Sequence, residues 1–124
     1  MRAMAGKELA RLVGRLVLEK KGGDVVLIDL RKLSSIADFF VVATADADVH
    51  AHAIAGYIEE KLKAKGVRMG HEEKSARWTL LDYGDVVVHL FLKEARRFYA
   101  LEKFWGDAPQ ESLAERPRGR RMAG

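Results

Sequence analysis

The sequence predicts an α+β domain: a mixed β-sheet with helices mainly on one face. Three observations carry this. Apolar residues recur at helical spacing near the start, the middle and the end of the chain. Between those segments lie short runs rich in β-branched and aromatic residues, the composition of strands. The two kinds of segment follow one another as α-β-β-α-β-β-α, which suits about four strands in one sheet with helices packed on it.

The first helix is expected over residues 6–20. Leu9, Leu12, Val13, Leu16 and Val17 stand at i, i+3, i+4, i+7 and i+8, and the run KKGG stops it. The mostly apolar 25-VVLIDL-30 reads as a buried strand, 31-RKLSSIAD-38 as a connector, and 39-FFVVAT-44 as a second strand. Asp46 or Asp48 is then expected to cap a helix running to about Lys65, with Ala51, Ile54, Ala55, Ile58 and Leu62 as its buried stripe. The polar 67-VRMGHEEKSAR-77 reads as a loop. Strands at 77–82 and 85–92 follow, joined by a tight turn in DYGD. A last helix over about 94–105 carries Phe98, Leu101 and Trp105 on one side.

The turn decides which hairpin residues share a face. A two-residue turn on Tyr83-Gly84 groups Trp78 and Leu80 with Val87, His89 and Phe91. A type I turn with Gly84 in a left-handed bulge position groups them with Val86, Val88 and Leu90, and Gly84 favours that bulged form. In either register both faces carry large apolar groups. One is expected to meet the helices and the other another protein.

Composition narrows the function classes. The chain has 124 residues, 48% of them hydrophobic and 32% charged, with no cysteine and a formal net charge of +4. One soluble domain over residues 1–110 is expected, followed by a basic tail over 111–124. Arg116, Arg118, Arg120 and Arg121 make that tail read as disordered and solvated, or alternatively as a contact to rRNA phosphates. No run reaches the roughly 18 apolar residues of a membrane span, and the charge-broken start lacks the apolar core of a signal peptide, so a cytoplasmic protein is expected.

Catalytic and metal motifs are weak. His50, His52, His71 and His89 have no ligand spacing, and His71-Glu72-Glu73 reads as a solvated segment, so no metal is expected. No phosphate-cradling Gly-rich motif occurs, and no cofactor is expected. Asp46 and Asp48 could hold magnesium in a nucleotidyltransferase, but without a preceding Gly-Ser they read better as a helix cap. Ser34, Ser35 and Ser75 lack a nucleophile elbow. A binding module is what remains.

Two stretches carry a resemblance. The segment 73-EKSARWTLLDYGDVVVHLFLKEARRFYALEKFWGDAP-109 strongly resembles the ribosomal silencing factor (RsfS, Iojap-like) family. It has the Trp, the Asp-Tyr-Gly-Asp and Val-Val-Val-His elements, an Arg before a Tyr, Leu-Glu, and the Trp-Gly-Asp-Ala-Pro ending. The segment 29-DLRKLSSIADFFVVATADAD-48 is similar to the family as well, although relatives more often carry Asn or Ser in the ADAD part. The likeness covers about residues 7–110 and leaves the Arg-rich tail outside.

The resemblance implies a nucleotidyltransferase-like fold without catalytic residues. It also implies binding to the large ribosomal subunit through its fourteenth large-subunit protein. Bound there, such a protein blocks association with the small subunit and represses translation when nutrients are scarce. A role in large-subunit biogenesis is the alternative, and an active nucleotidyltransferase a more remote one. The family also includes dimers. Carried onto this sequence, the partner-binding residues are Trp78, Leu80, Asp82, Tyr83 and His89 on the hairpin, with Arg97, Tyr99 and Glu102 on the last helix. Arg96 and Lys103 are expected to be solvated.

Overall fold

Residues 39–45 are buried along almost their whole length on both sides, the signature of a strand at the middle of a sheet. The computed structural model describes residues 6–113, and of Phe98 and Tyr99 the backbone alone. In chain order the elements are α1 (Gly6–Glu19), β1 (Gly23–Asp29), β2 (Phe39–Ala45), α2 (Asp48–Ala64), β3 (His71–Lys74), β4 (Trp78–Asp82), β5 (Val86–Leu92), α3 (Lys93–Tyr99), α4 (Leu101–Phe104) and β6 (Gln110–Leu113). The strands form one six-stranded mixed sheet in the order β3-β4-β5-β2-β1-β6. Its central pair, β2 and β5, is parallel, and every other pair is antiparallel.

The α+β class and the mixed sheet stand, with more strands than expected. Residues 71–74, read as loop, form edge strand β3 against β4. An edge strand with little burial needs no apolar alternation, so His-Glu-Glu-Lys gave no strand signal. At the other edge β6 adds Gln110–Leu113 to β1. The arginines of the tail lie outside the described residues.

Alternation sorts the side chains into two cores. Val25, Leu27, Phe39, Val41, Leu81, Val86, Val88 and Leu90 face α1 and α2, and close on Val13, Val17, Ile54 and Ile58. Ile28, Phe40, Val42, Val87 and Phe91 face the opposite way, with Ala95 of α3 and Ala108. The helices are therefore on both faces. The two long ones seal one face, while the short α3 and α4 lie over part of the other.

Three local expectations are corrected. Neither Asp46 nor Asp48 caps α2: the N-cap is Ala47, without a side-chain hydrogen bond, and Asp48 is the first helical residue. The Asp46 amide instead donates to Nδ1 of His50 at 2.9 Å, and His50 Nε2 lies 2.8 Å from the Lys20 carbonyl oxygen. This imidazole ties the end of α1 to the start of α2.

The hairpin does not take the bulged register. Trp78 pairs with Phe91, Leu80 with His89 and Asp82 with Val87, and the Tyr83 amide donates to the Val86 carbonyl at 2.9 Å. The two central turn residues are thus Gly84 and Asp85. Gly84 alone of them has positive φ, at 86°, the pattern of a II′ turn that matches strand twist. Glycine supplies the positive φ as expected, but as the first residue of the loop rather than the third.

Finally, the last helix is broken. Ala100 takes a left-handed conformation (φ 49°, ψ 49°) that ends α3 and starts α4.

Candidate docking surface

On the face opposite α1 and α2, the hairpin register builds a row of rings. Trp78 stacks on Phe91, with centroids 5.5 Å apart, and on His89 at 5.8 Å. His89 meets Phe40 at 4.4 Å, and Phe40 meets Trp105 edge-on at 6.3 Å. Phe104 then stands edge-to-face with Trp105 at 5.2 Å. The row runs from β4 across β5 and β2 to α4. It is covered unevenly: Phe91 and His89 are buried, Trp78, Leu80, Leu101 and Trp105 are half-buried, and Phe104 is 75% exposed. Such a surface leaves aromatic rings partly exposed above a buried floor.

His89 belongs to the floor. Its Nδ1 accepts the indole N–H of Trp78 at 3.3 Å, so the neutral ring carries its proton on Nε2. That atom is buried and has no hydrogen-bond partner among the described residues. Burial pushes the His89 pKa down to about 4, because the charged form is poorly solvated there.

The structure gathers only part of the residue set expected from the resemblance. Trp78, Leu80 and His89 share the aromatic face, and Arg97 is exposed on α3. Asp82 is on the same side of β4, but its Oδ1 accepts the Gly84 amide at 2.8 Å and shapes the turn. Tyr83 directly follows β4 and packs against the α1/α2 core, on the other face. Burial, and behind it the charges of Glu59 and Glu72, push its pKa up to about 12. The side chain of Tyr99 lies outside the described residues.

Glu102 is engaged within the chain, in an ion pair with Arg96. Lys103 is exposed as expected, but Arg96 is not solvated: its side chain is 12% exposed. Arg96 Nε donates to Glu102 Oε2 at 3.1 Å and Nη1 to Thr44 Oγ1 at 2.8 Å, with further bonds to Glu102 Oε2 and the Asp24 carbonyl. The sequence places Arg96 and Arg97 side by side with nothing local to separate them. Their difference arises across the break at Ala100, where Glu102 swings back.

Phe40, Phe91, Trp105 and Phe104 were not among the expected contact residues. The alternation of 39-FFVV-42 and the correct hairpin register would have grouped Phe40 and Phe91 with Trp78.

The profile of the family described as "Ribosomal silencing factor during starvation" (RsfS) matches residues 3–123. The chain belongs to the RsfS family. An RsfS of Halalkalibacterium halodurans is 39% identical over 112 residues, spanning 89% of this chain and 96% of that one. The RsfS of Bacillus subtilis is 36% identical over 112 residues, with 89% and 95% covered. The chloroplastic protein Iojap of Arabidopsis thaliana is 35% identical over 102 residues, 82% of this chain and 43% of Iojap. Among solved structures, a Chromobacterium violaceum protein superposes with a TM-score of 0.79 at 33% identity, covering 93% of this chain and 92% of the other. The RsfS match takes in the entire aromatic row. Among the described residues no helix is long and apolar enough to cross a membrane.

Proposed function

We propose that this protein is a ribosomal silencing factor that acts by occupation. It binds the large ribosomal subunit through the aromatic row, against the fourteenth large-subunit protein. There it blocks association with the small subunit and represses translation under nutrient limitation. The observation that supports this most is the half-covered row Trp78–His89–Phe40–Trp105–Phe104, an aromatic surface on a rigid sheet within a chain of the RsfS family. Obstruction needs affinity and bulk, and specific interfaces bury about 800 Å² per partner with a few aromatic and Arg anchors dominating the energy. Trp78, Leu80 and Arg97 are the hairpin and α3 contacts in this reading. Asp82 and His89 hold the surface in shape.

The same reading makes the protein a cytoplasmic binding module on a nucleotidyltransferase-like fold without its chemistry. Asp46, whose carboxylate is 92% exposed, and Asp48 at the first turn of α2 serve no catalytic purpose in it.

Sucrose-gradient sedimentation tests the proposal. The purified protein is expected to travel with large subunits and to deplete joined ribosomes. Trp78→Ala should weaken the association by about 2 kcal/mol, roughly thirtyfold, with the fold intact. A wild-type protein that stays at the top of the gradient at moderate salt refutes the proposal.

A further inference from the structure

The short helix α4 carries Phe104 and borders Trp105, yet it has no buried residue of its own. On one side it borders an open cleft of about 670 Å³, lined by Asp24, Val26, Arg96, Glu102, Ser112 and Leu113 among others. Half-buried Leu101 and the neighbouring Trp105 rest on the aromatic core, so packing holds the helix on one side only. Two polar ties complete the hold. Gln110 Nε2 donates to the carbonyls of Glu102 and Trp105, at 2.8 and 3.1 Å, behind the helix. In front stands Arg96, whose guanidinium joins Glu102 of α4 to Thr44 at the end of β2 and to the Asp24 carbonyl in β1.

Arg96 also sits between two strained backbone positions. Asp24 and Ala100 are both non-glycine residues with positive φ, 48° and 49°. The Arg96 side chain binds the carbonyl of the first, and its own carbonyl accepts the amide of the second at 2.9 Å. Left-handed geometry at such residues costs on the order of 1–2 kcal/mol each and persists only where the surroundings enforce it. Nε and Nη2 of Arg96 both donate to the single oxygen Oε2 of Glu102, and a partly buried, charge-assisted contact of this kind can contribute to that enforcement.

We infer that Arg96 is a positioning residue for docking: paired with Glu102, it pins the α3–α4 elbow so that Phe104 and Trp105 extend the aromatic row, without itself touching the partner. This deepens the proposed function and rests on it. It also removes Glu102 from the direct contacts and puts Phe104 in its place as the outermost anchor.

A double-mutant cycle separates a pin from a contact. Full-length wild type, Arg96→Gln, Glu102→Gln and the double variant are titrated against large subunits by cosedimentation. Hydrogen exchange across residues 100–106 is followed in each free protein. A pin predicts about tenfold weaker binding for either single change, no further loss in the double, faster exchange in all three, and partial recovery with Arg96→Lys. Phe104→Ala should weaken binding while leaving the exchange unchanged. Full additivity, or an Arg96→Gln protein with wild-type binding, overturns the inference. Glu102→Gln leaves the Thr44 and Asp24 bonds in place, so it reads the pin even if Arg96→Gln folds poorly. If wild type does not bind the subunit, the proposed function fails, and the exchange data alone decide the pin: unchanged exchange at 100–106 sinks it.

Discussion

The two faces of the sheet are built from the same strands yet differ in kind. Toward α1 and α2 the strands present mainly Val, Leu and Ala, closed over by two helices of 14 and 17 residues. Toward α3 and α4 they present Phe40, Trp78, His89 and Phe91, roofed in part by helices of 7 and 4 residues. Aliphatic groups under long helices give area removed from water and little else. Rings under a short roof give less sealed area but leave rigid edges for another molecule. One face holds the domain together, and the other is arranged to be finished by a partner.

The largest effect that can break this comparison is at Leu81, which is fully buried on the sealed face. Leu81→Ala should lower unfolding free energy by about 3–4 kcal/mol in urea titration, through lost transfer energy and a residual cavity. The folded fraction should still bind large subunits normally. Trp78→Ala should show the reverse balance. If both changes act alike on stability and binding, the division of labour between the faces is wrong.

A smaller effect comes from His89. Its pKa in the folded protein is about 4, against 6.5 when exposed. The unfolded chain therefore binds the extra proton first, and the stability from keeping this ring neutral is complete above pH 6.5. It is lost as pH falls from there toward 4. Between pH 7 and pH 5 the loss should be on the order of 2 kcal/mol. Denaturant titrations across that window should show it in wild type, and His89→Gln should flatten the slope. An equal slope in the variant would mean that the aromatic floor does not exclude the charged ring.

The smallest effect sharpens the register. Gly84 has positive φ and open space where a Cβ would go, so Gly84→Ala should cost about 1–2 kcal/mol, from backbone strain and not from a clash. A slip by one residue would exchange the two faces of β4 and be far more damaging. A loss of several kcal/mol would show that the turn cannot absorb the change locally.

Much of this contrast could be read from the residues, and the remainder has physical reasons for staying hidden. Periodicity placed α1, α2, β1, β2, β4 and β5, because each buries an apolar stripe or an apolar run. It missed β3 because both sides of His71–Lys74 are largely wet. The side of the hairpin facing out hung on one residue of turn geometry, and glycine suits the left-handed site in both registers. The elbow at Ala100 had no signal at all, since alanine is an excellent helix former and here adopts φ 49° under tertiary constraint. With the elbow hidden, the separate fates of Arg96 and Arg97, and the engagement of Glu102, were hidden too. The aromatic composition of the surface was visible in the sequence; its assembly into one row was not.

The central parallel pair has a consequence for how the molecule comes into being. Phe39 on β2 is matched with Val86 on β5, and everything between them must be synthesised before that pairing can form. At about 5–20 residues per second, the nascent β1–β2 pair waits a few seconds with α1 to cover one face but with its other face and the β2 edge still bare. For that interval the middle of the future sheet is its most vulnerable margin, and chaperone dependence should concentrate there.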